Sequence, residues 1–405
     1  MEPWSRNLRN FRCAKEDNAG KKSLIGFLVR NNVLPMYGFP VDTVELIPYI
    51  NSVGRGKSLQ LARDLQMAIA EYAPGAQAVA DGKMYISRYI RKMPGKNTAT
   101  AWEQGFYCPS CPSCNQANFT KDPVPSTGRE CVSCHTPIKR MRWLKTIEPR
   151  MGFCAEKEAR AVHMHRPMHD FKTDDYYIGD PHRNLIAKQS FIVNDQVMHI
   201  ESTANDSLVV VGQSEYRVCP VCGYATEGPM PTEHKTVRGY RCANQESKAS
   251  SYRLSHDFKT DVARITFESS DASNRNTMLS VLYALLEGLS REMGIERTDI
   301  RGCLFYTSSN GFMVYSLVLY DAVAGGAGHV RRIVTDDGAA FQRVLKRAIS
   351  VVDGCDCDSS CYRCLRNYYN QKIHDLLSRK QASSFLHHWL GDMHAVPADD
   401  IVTSE

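Results

Sequence analysis

No apolar run in this chain approaches the length needed to cross a bilayer, so a membrane span is not expected. Met1 to Lys22 is polar and charged and offers no apolar h-region, so a secretory leader is not expected either. A phosphate loop is also missing. Gly54-Arg55-Gly56-Lys57-Ser58 ends like one, but the first glycine of G-x4-G-K-[ST] would fall at Asn51. The preceding Tyr49-Ile50 is too short a strand to aim such a loop, and no acidic partner follows an apolar run. ATP hydrolysis by this chain is not expected, and the stretch reads as a basic, Gly-rich connector.

Cysteine, by contrast, is abundant. Fifteen are present in 405 residues, mostly in C-x2-C pairs. Clustered cysteines without a leader point to metal sites in a reducing cytoplasm, not to disulfides. The net charge of +6 permits a nucleic-acid partner without requiring one. The length implies two to four modules, and the 43% apolar fraction is enough to pack them.

Three cysteine groups follow. Cys355, Cys357, Cys361 and Cys364 are spaced C-x-C-x3-C-x2-C. Four thiolates so close suit tetrahedral Zn2+, whereas iron–sulfur spacings are usually longer and end differently. Cys108, Cys111 and Cys114 precede Cys131 and Cys134 across the Pro/Gly/Ser-rich arm Asp122 to Gly128. That is a zinc-ribbon pattern with one thiol too many. Cys111, Cys114, Cys131 and Cys134 are the preferred set, and Cys108 is the spare. Cys219-Pro220-Val221-Cys222-Gly223 opens a third knuckle with Cys242. Its fourth ligand must be another residue type. His234 is the first candidate and His256 the second. His163, His165 and His169 form H-x-H-x3-H, which matches no zinc spacing.

Lys139, Arg140, Arg142 and Lys145 surround Trp143, and Arg363 and Arg366 flank the last cysteine. Cations with an aromatic can follow a phosphate backbone and stack a base. The Lys139–Trp143 run equally fits a solvated strand with one core Trp. Arg343, Lys346 and Arg347 mark the outer face of an amphipathic helix over Ala340 to Val352.

Elsewhere the pattern predicts helices over Leu24–Asn32, Leu59–Tyr72 and Asn276–Met293, the last closed by Gly294. A further helix is expected from Cys364 through Leu376 and Leu377 to Trp389. Strands are expected at Val41–Leu46, in short segments from Asn184 to Val211, and at Asp261–Ser269. Hairpins are expected around Asp81-Gly82 and Asn310-Gly311. The Gly325–Gly328 turn reads as close packing, because Asp321 sets a negative charge beside any anion site. The fold class is α+β and multi-module, with zinc-ribbon and knuckle elements and a C-terminal α/β zinc-binding domain. The expected divisions are 1–100, a zinc ribbon at 101–147, a β-rich region with the second knuckle at 148–250, and 251–395.

The last third resembles the MrfA-like zinc-binding domain, the cysteine-rich C-terminal domain of a family of bacterial DNA repair helicases. The runs that carry the likeness are His256-Asp257-Phe258-Lys259-Thr260-Asp261-Val262, Asp321 through Gly328, and Cys355 to Asn370 with His374 and Arg379. Leu34 to Asp42 and Glu71 to Gly75 look like the region that joins the helicase core to that domain. The domain also occurs in helicase-free companions, such as the second protein of the DISARM phage-defence system. The resemblance implies a zinc site at Cys355, Cys357, Cys361 and Cys364, and work on DNA beside a superfamily-2 helicase. Nothing here resembles the motor, since D-E-x-H is missing along with the phosphate loop. The sequence therefore reads as a non-motor accessory protein of a DNA repair or phage-defence helicase system, with about three Zn2+, working in the cytoplasm. The rival readings are a metal-dependent nuclease and a residual C-terminal fragment of a split helicase.

Overall fold

The computed structural model describes residues 42–48, 61–93, 103–109, 111, 113–114, 116–120, 130–137, 145–156, 160–161, 172–179, 184–243, 249–391 and 394–396. The expected helix at Leu24–Asn32, the Gly54–Ser58 connector, the Asp122–Gly128 arm, the Lys139–Trp143 run and His163, His165 and His169 lie outside them.

Two sheets form among the described residues. The first begins with β1 (Thr43–Ile47), β2 (Ala62–Asp64), β3 (Gln77–Ala80) and β4 (Lys83–Ile90). The chain then leaves it for β5 (Glu103–Tyr107) and β6 (Lys145–Glu148), and returns for β7 (Phe153–Ala155) and β8 (Arg160–Ala161). The order is β2-β1-β7-β4-β3, with β8 also on β4. The second sheet takes β9 (Thr173–Tyr177), β10 (Asn184–Val193), β11 (Gln196–Gly212), β12 (Tyr216–Val218), β13 (Ala225–Thr226), β14 (Ser250–Phe267), β15 (Ile300–Ser309), β16 (Phe312–Asp321) and β17 (His394–Val396). Its spine is the 18-residue β14, which hydrogen-bonds to β11, β12, β16 and β6.

Leu254 near its start packs with Val44, Leu46 and Phe153 of the first sheet, and from Phe258 onward side-chain alternation sorts the spine into two further cores. Ala263, Ile265 and Phe267 face one way, toward the helices α2 (Arg275–Met293), α3 (Ala339–Asp353) and α4 (Arg379–Leu390). Phe258 and Val262 face the other, toward Tyr177, Cys303 and Tyr320. On β11 the parity reverses midway: Met198 and Ile200 join the helical core, yet Leu208 and Val210 join the opposite one. One extra residue between Thr203 and Asp206 explains it, with Asn205 at φ +55°. A bulge of one residue moves every later side chain to the other face.

Helix α2 starts where Asn274 accepts from the amides of Asn276 and Thr277, and stops at Gly294 with φ +64°. Leu282, Leu285, Leu286 and Leu289 are fully buried along it. Each contributes on the order of 2 kcal/mol by leaving water. Gly288 lets α3 come close, because a Cβ there would lie 2.7 Å from the Ala348 amide nitrogen. Two expected helices are shorter than the apolar spacing indicates. Residues Ala62–Asp64 form β2, and α1 (Leu65–Glu71) begins only where the Asp64 carboxylate accepts from the Gln66 amide. After Cys364 the chain makes a 3-10 turn at Tyr368–Leu376, turns extended at Leu377, and restarts at Ser378 as α4.

Candidate metal centres

Helix α3 ends at Gly354 and delivers the chain directly into the C-terminal cysteine group. Four thiolates at about 2.3 Å from a tetrahedral zinc stand about 3.8 Å from one another. Here Cys355 and Cys357 are 3.5 Å apart, Cys355 and Cys361 3.5 Å, Cys357 and Cys364 3.7 Å, and Cys361 and Cys364 3.8 Å. Disulfide sulfurs would stand near 2.05 Å. The amides of Cys364's neighbour Arg363 and of Cys361 point at Cys361 Sγ and Cys364 Sγ, at 3.4 and 3.2 Å. Such N–H groups stabilise thiolate charge. Arg379 ties this knot to its surroundings. Its Nε donates to Cys357 O at 2.5 Å, and its amide donates to Ser359 O at 2.7 Å.

The ribbon repeats the geometry. Cys111 and Cys134 are 3.5 Å apart, and Cys114 and Cys131 3.6 Å. Asn118 locks its two halves, its Oδ1 accepting from the Val132 amide while its Nδ2 approaches Cys131 Sγ at 3.7 Å. The group sits against Tyr306 of the second sheet. Cys108, the spare thiol, is buried outside the set, and burial pushes it up to about 12. Cys154 and Cys303 are likewise buried and raised. Such thiols are unreactive.

The third group unites Cys219, Cys222, His234 and Cys242. Cys219 and Cys242 are 3.8 Å apart, and the Tyr224 amide donates to Cys222 Sγ at 3.5 Å. His234 is buried, and neither ring nitrogen has a hydrogen-bond partner. Two orphaned nitrogens in a dry site are costly unless one binds a metal. His256, the second candidate from sequence, is elsewhere: its Nδ1 is 2.5 Å from Glu148 Oε1. Nothing local could reveal Glu148 as its partner, since 108 positions separate the two. In this group the hydrogen bond from Cys222 lowers Cys219 to about 4, while Cys222 itself is pushed up by the same contact. One thiolate is therefore easily held, whereas a second needs a cation beside it. In each of the three groups the donor atoms all lie within 4.8 Å of one another, and all three fit Zn2+.

The cationic candidates are more scattered. Arg363 is exposed on the C-terminal knuckle beside Tyr362, which is 67% exposed. Arg366 is half-buried and donates to Ser360 Oγ at 2.8 Å. Arg343 and Arg347 pair with Glu292 on α2. Lys346 is exposed beside them. The glycine-rich turn after β16 cradles anions of its own: the amides of Ala327, His329 and Val330 donate to Asp321, and that of Gly328 donates to Asp261. Among the described residues no helix is long and apolar enough to cross a membrane.

Several known proteins resemble this chain. The Druantia protein DruE of Escherichia coli (strain UMEA 4076-1) is 26% identical over 417 residues, covering 92% of this chain. The chain spans 22% of the length of that curated relative. The crystal structure of the DUF1998 helicase MrfA bound to DNA aligns at a TM-score of 0.38 and 9% identity, over 86% of this chain and 34% of that one. The same helicase bound to DNA and AMPPNP aligns at 0.29 and 10%, over 85% and 31%. A family model described as the MrfA Zn-binding domain matches residues 281–365. The matched stretch includes all four cysteines of the C-terminal knot.

Proposed function

We propose that this chain is a zinc-organised accessory module of a DNA helicase system, of the repair or phage-defence kind, working in the cytoplasm. It binds DNA, a superfamily-2 helicase or both, and contributes no catalysis of its own. The observation that carries the reading is the match of residues 281–365 to the MrfA Zn-binding domain, with its cysteines at tetrahedral spacing. The donor sets support a structural role for the metal. Four ligands complete a tetrahedral zinc, and a hydrolytic centre needs a position left for water. In this reading Cys355, Cys357, Cys361 and Cys364, Cys111, Cys114, Cys131 and Cys134, and Cys219, Cys222, His234 and Cys242 are the three ligand sets. Metal-held loops are rigid enough to present Arg363 and Arg366 to a phosphate backbone; Lys139, Arg140, Arg142 and Trp143, outside the described residues, would add contacts by their chemistry alone.

The test is fluorescence anisotropy of labelled DNA with the zinc-loaded chain across a salt titration. Affinity should fall linearly with the logarithm of salt, and Arg363→Ala should weaken it. A Lys139→Ala, Arg140→Ala, Arg142→Ala chain should bind still more weakly. No binding at low salt, or an unchanged triple variant, would remove direct DNA contact and leave helicase capture, read by pull-down. Cleavage of the DNA on adding a divalent metal would transfer the case to the nuclease reading.

A further inference from the structure

We infer that the cavity between α2, β9, β15 and the Tyr368–Leu376 turn is a binding site for a phosphate monoester dianion. The cavity measures about 120 Å3 and is partly open to solvent. Four cations line it, Arg275, Arg297, Arg301 and Lys372, against two carboxylates, Asp174 and Asp175.

The internal pairing accounts for only part of this charge. Lys372 is bonded to Asp174. Arg301 lies 3.8 Å from Asp175, and its guanidinium sits 4.7 Å from the Tyr369 ring centre. Arg297 donates to Ile300 O at 2.8 Å, and its carboxylate neighbour Glu287, at 3.9 Å, is outside the lining. Burial lowers the pKa of Arg297, against the opposing pull of Tyr283 and Glu287. Arg275 has no ion-pair partner among the described residues. The lining itself thus holds two more cations than carboxylates, with Glu287, outside it, shared between Arg297 and Arg291; a phosphate monoester carries about −2 at neutral pH.

The position of Arg275 adds an independent argument. It is the first residue of a 19-residue helix. The positive end of a helix dipole disfavours a cation at that position. An anion in the cavity turns both the side chain and the dipole to advantage. Tyr283 lines the same space, and its hydroxyl has no hydrogen-bond partner among the described residues. Guanidinium forks and a free hydroxyl are donors only a multi-oxygen anion can satisfy together. A carboxylate would leave one charge unmatched, and the volume admits an oxyanion head while the rest of the molecule stays at the opening.

The phosphate monoester could belong to a free nucleotide or to the end of a DNA strand, and the chemistry is shared. The inference does not rest on the DNA reading above, because a mononucleotide needs no strand. Calorimetry on the zinc-loaded full chain would compare inorganic phosphate, a deoxynucleoside 5′-monophosphate, and one oligonucleotide bearing a 5′-phosphate, a 3′-phosphate or hydroxyl ends. At least one monoester arm is expected to bind about tenfold tighter than its hydroxyl counterpart, as one lost charge-assisted contact would read. Arg275→Gln and Arg297→Gln should each remove about that factor, and Tyr283→Phe, which keeps the ring in place, should cost several-fold. Preference for the mononucleotide assigns the site to free ligand; preference for a phosphorylated oligonucleotide assigns it to strand ends. Equal affinity for monoester and hydroxyl arms overturns the inference. So does unaltered monoester binding by Arg275→Gln or Tyr283→Phe chains that melt like the parent. Binding of the hydroxyl-ended strand tests only the earlier DNA reading.

Discussion

His256 Nδ1 meets Glu148 Oε1 at 2.5 Å, with the two side chains 3% and 6% exposed. The pair joins β14 to β6, and Arg150 Nε approaches the second Glu148 oxygen at 2.5 Å. Burial opposes both charges. His256 with Arg150 nevertheless holds Glu148 below its usual range, and Glu148 holds His256 above its own.

A depressed carboxylate stabilises the fold above its unfolded value near 4.5 and loses that contribution as pH falls through its folded value. A raised imidazole stabilises below its unfolded value near 6.5 and loses it as pH rises through its folded value. Both contributions are fully present only between those two unfolded values. Melting temperature against pH should therefore peak in that window. Glu148→Gln should flatten the peak and cost about 3–5 kcal/mol, since it strands a buried partner. An unchanged profile in that variant would show that the pair is not ionic.

His234→Ala should take one metal from the chain. Native mass spectrometry of the parent is expected to find three zincs, one for each donor group, and the variant should hold one fewer. His234→Cys should restore the count, because thiolate and imidazole are interchangeable in tetrahedral sites. Full zinc content in the alanine variant would remove His234 from the ligand set.

Gly223 turns the third knuckle at φ +78°, and a Cβ there would stand 2.2 Å from Ile90 O. Gly223→Ala is expected to destabilise the chain by about 2 kcal/mol or more, since neither the strain nor the backbone clash can relax cheaply. Thermal melting measures the loss. A neutral result would mean that the knuckle does not dock on β4 as described.

Asp321 is fully buried and accepts from three amides, those of Ala327, His329 and Val330, at 2.6, 3.1 and 3.0 Å. Asp321→Asn replaces one acceptor oxygen by a donor facing those amides. The expected cost is about 3 kcal/mol, read from the midpoint of urea unfolding. A midpoint within error of the parent would contradict the cradle.

The cysteine spacings announced the metal groups because a tetrahedron draws its ligands from tight, local turns. Gly294 and the Asn310-Gly311 hairpin were readable for a similar reason, since each depends on positive φ close to hand. What escaped depended on distant partners. The alternation at Asp261–Ser269 marks only the second half of β14, because residues before it are polar. His256 is buried there by Glu148, Ser255 by packing, and Thr260 by its bonds to Asp321 O and Val323 O. The start of α1 was hidden by apolar spacing that runs smoothly through β2; the Asp64 cap decided it. The 3-10 turn after Cys364 follows from Asn367 and Asn370, which cap each other and steer the chain before α4.

The third metal group stands where the two sheets meet. The Ile90 amide donates to Gly223 O, Lys92 Nζ donates to Pro220 O and Val221 O, and Tyr89 OH donates to Lys235 O. β4 belongs to one sheet and the knuckle follows a strand of the other. A zinc in this group would fasten the knuckle to β4 beside a core that both sheets share, built from Val44, Leu46, Ile90 and Phe153 with Tyr216, Val218 and Leu254. Removing the metal should therefore expose protease sites first in the knuckle, at the edge of that shared core.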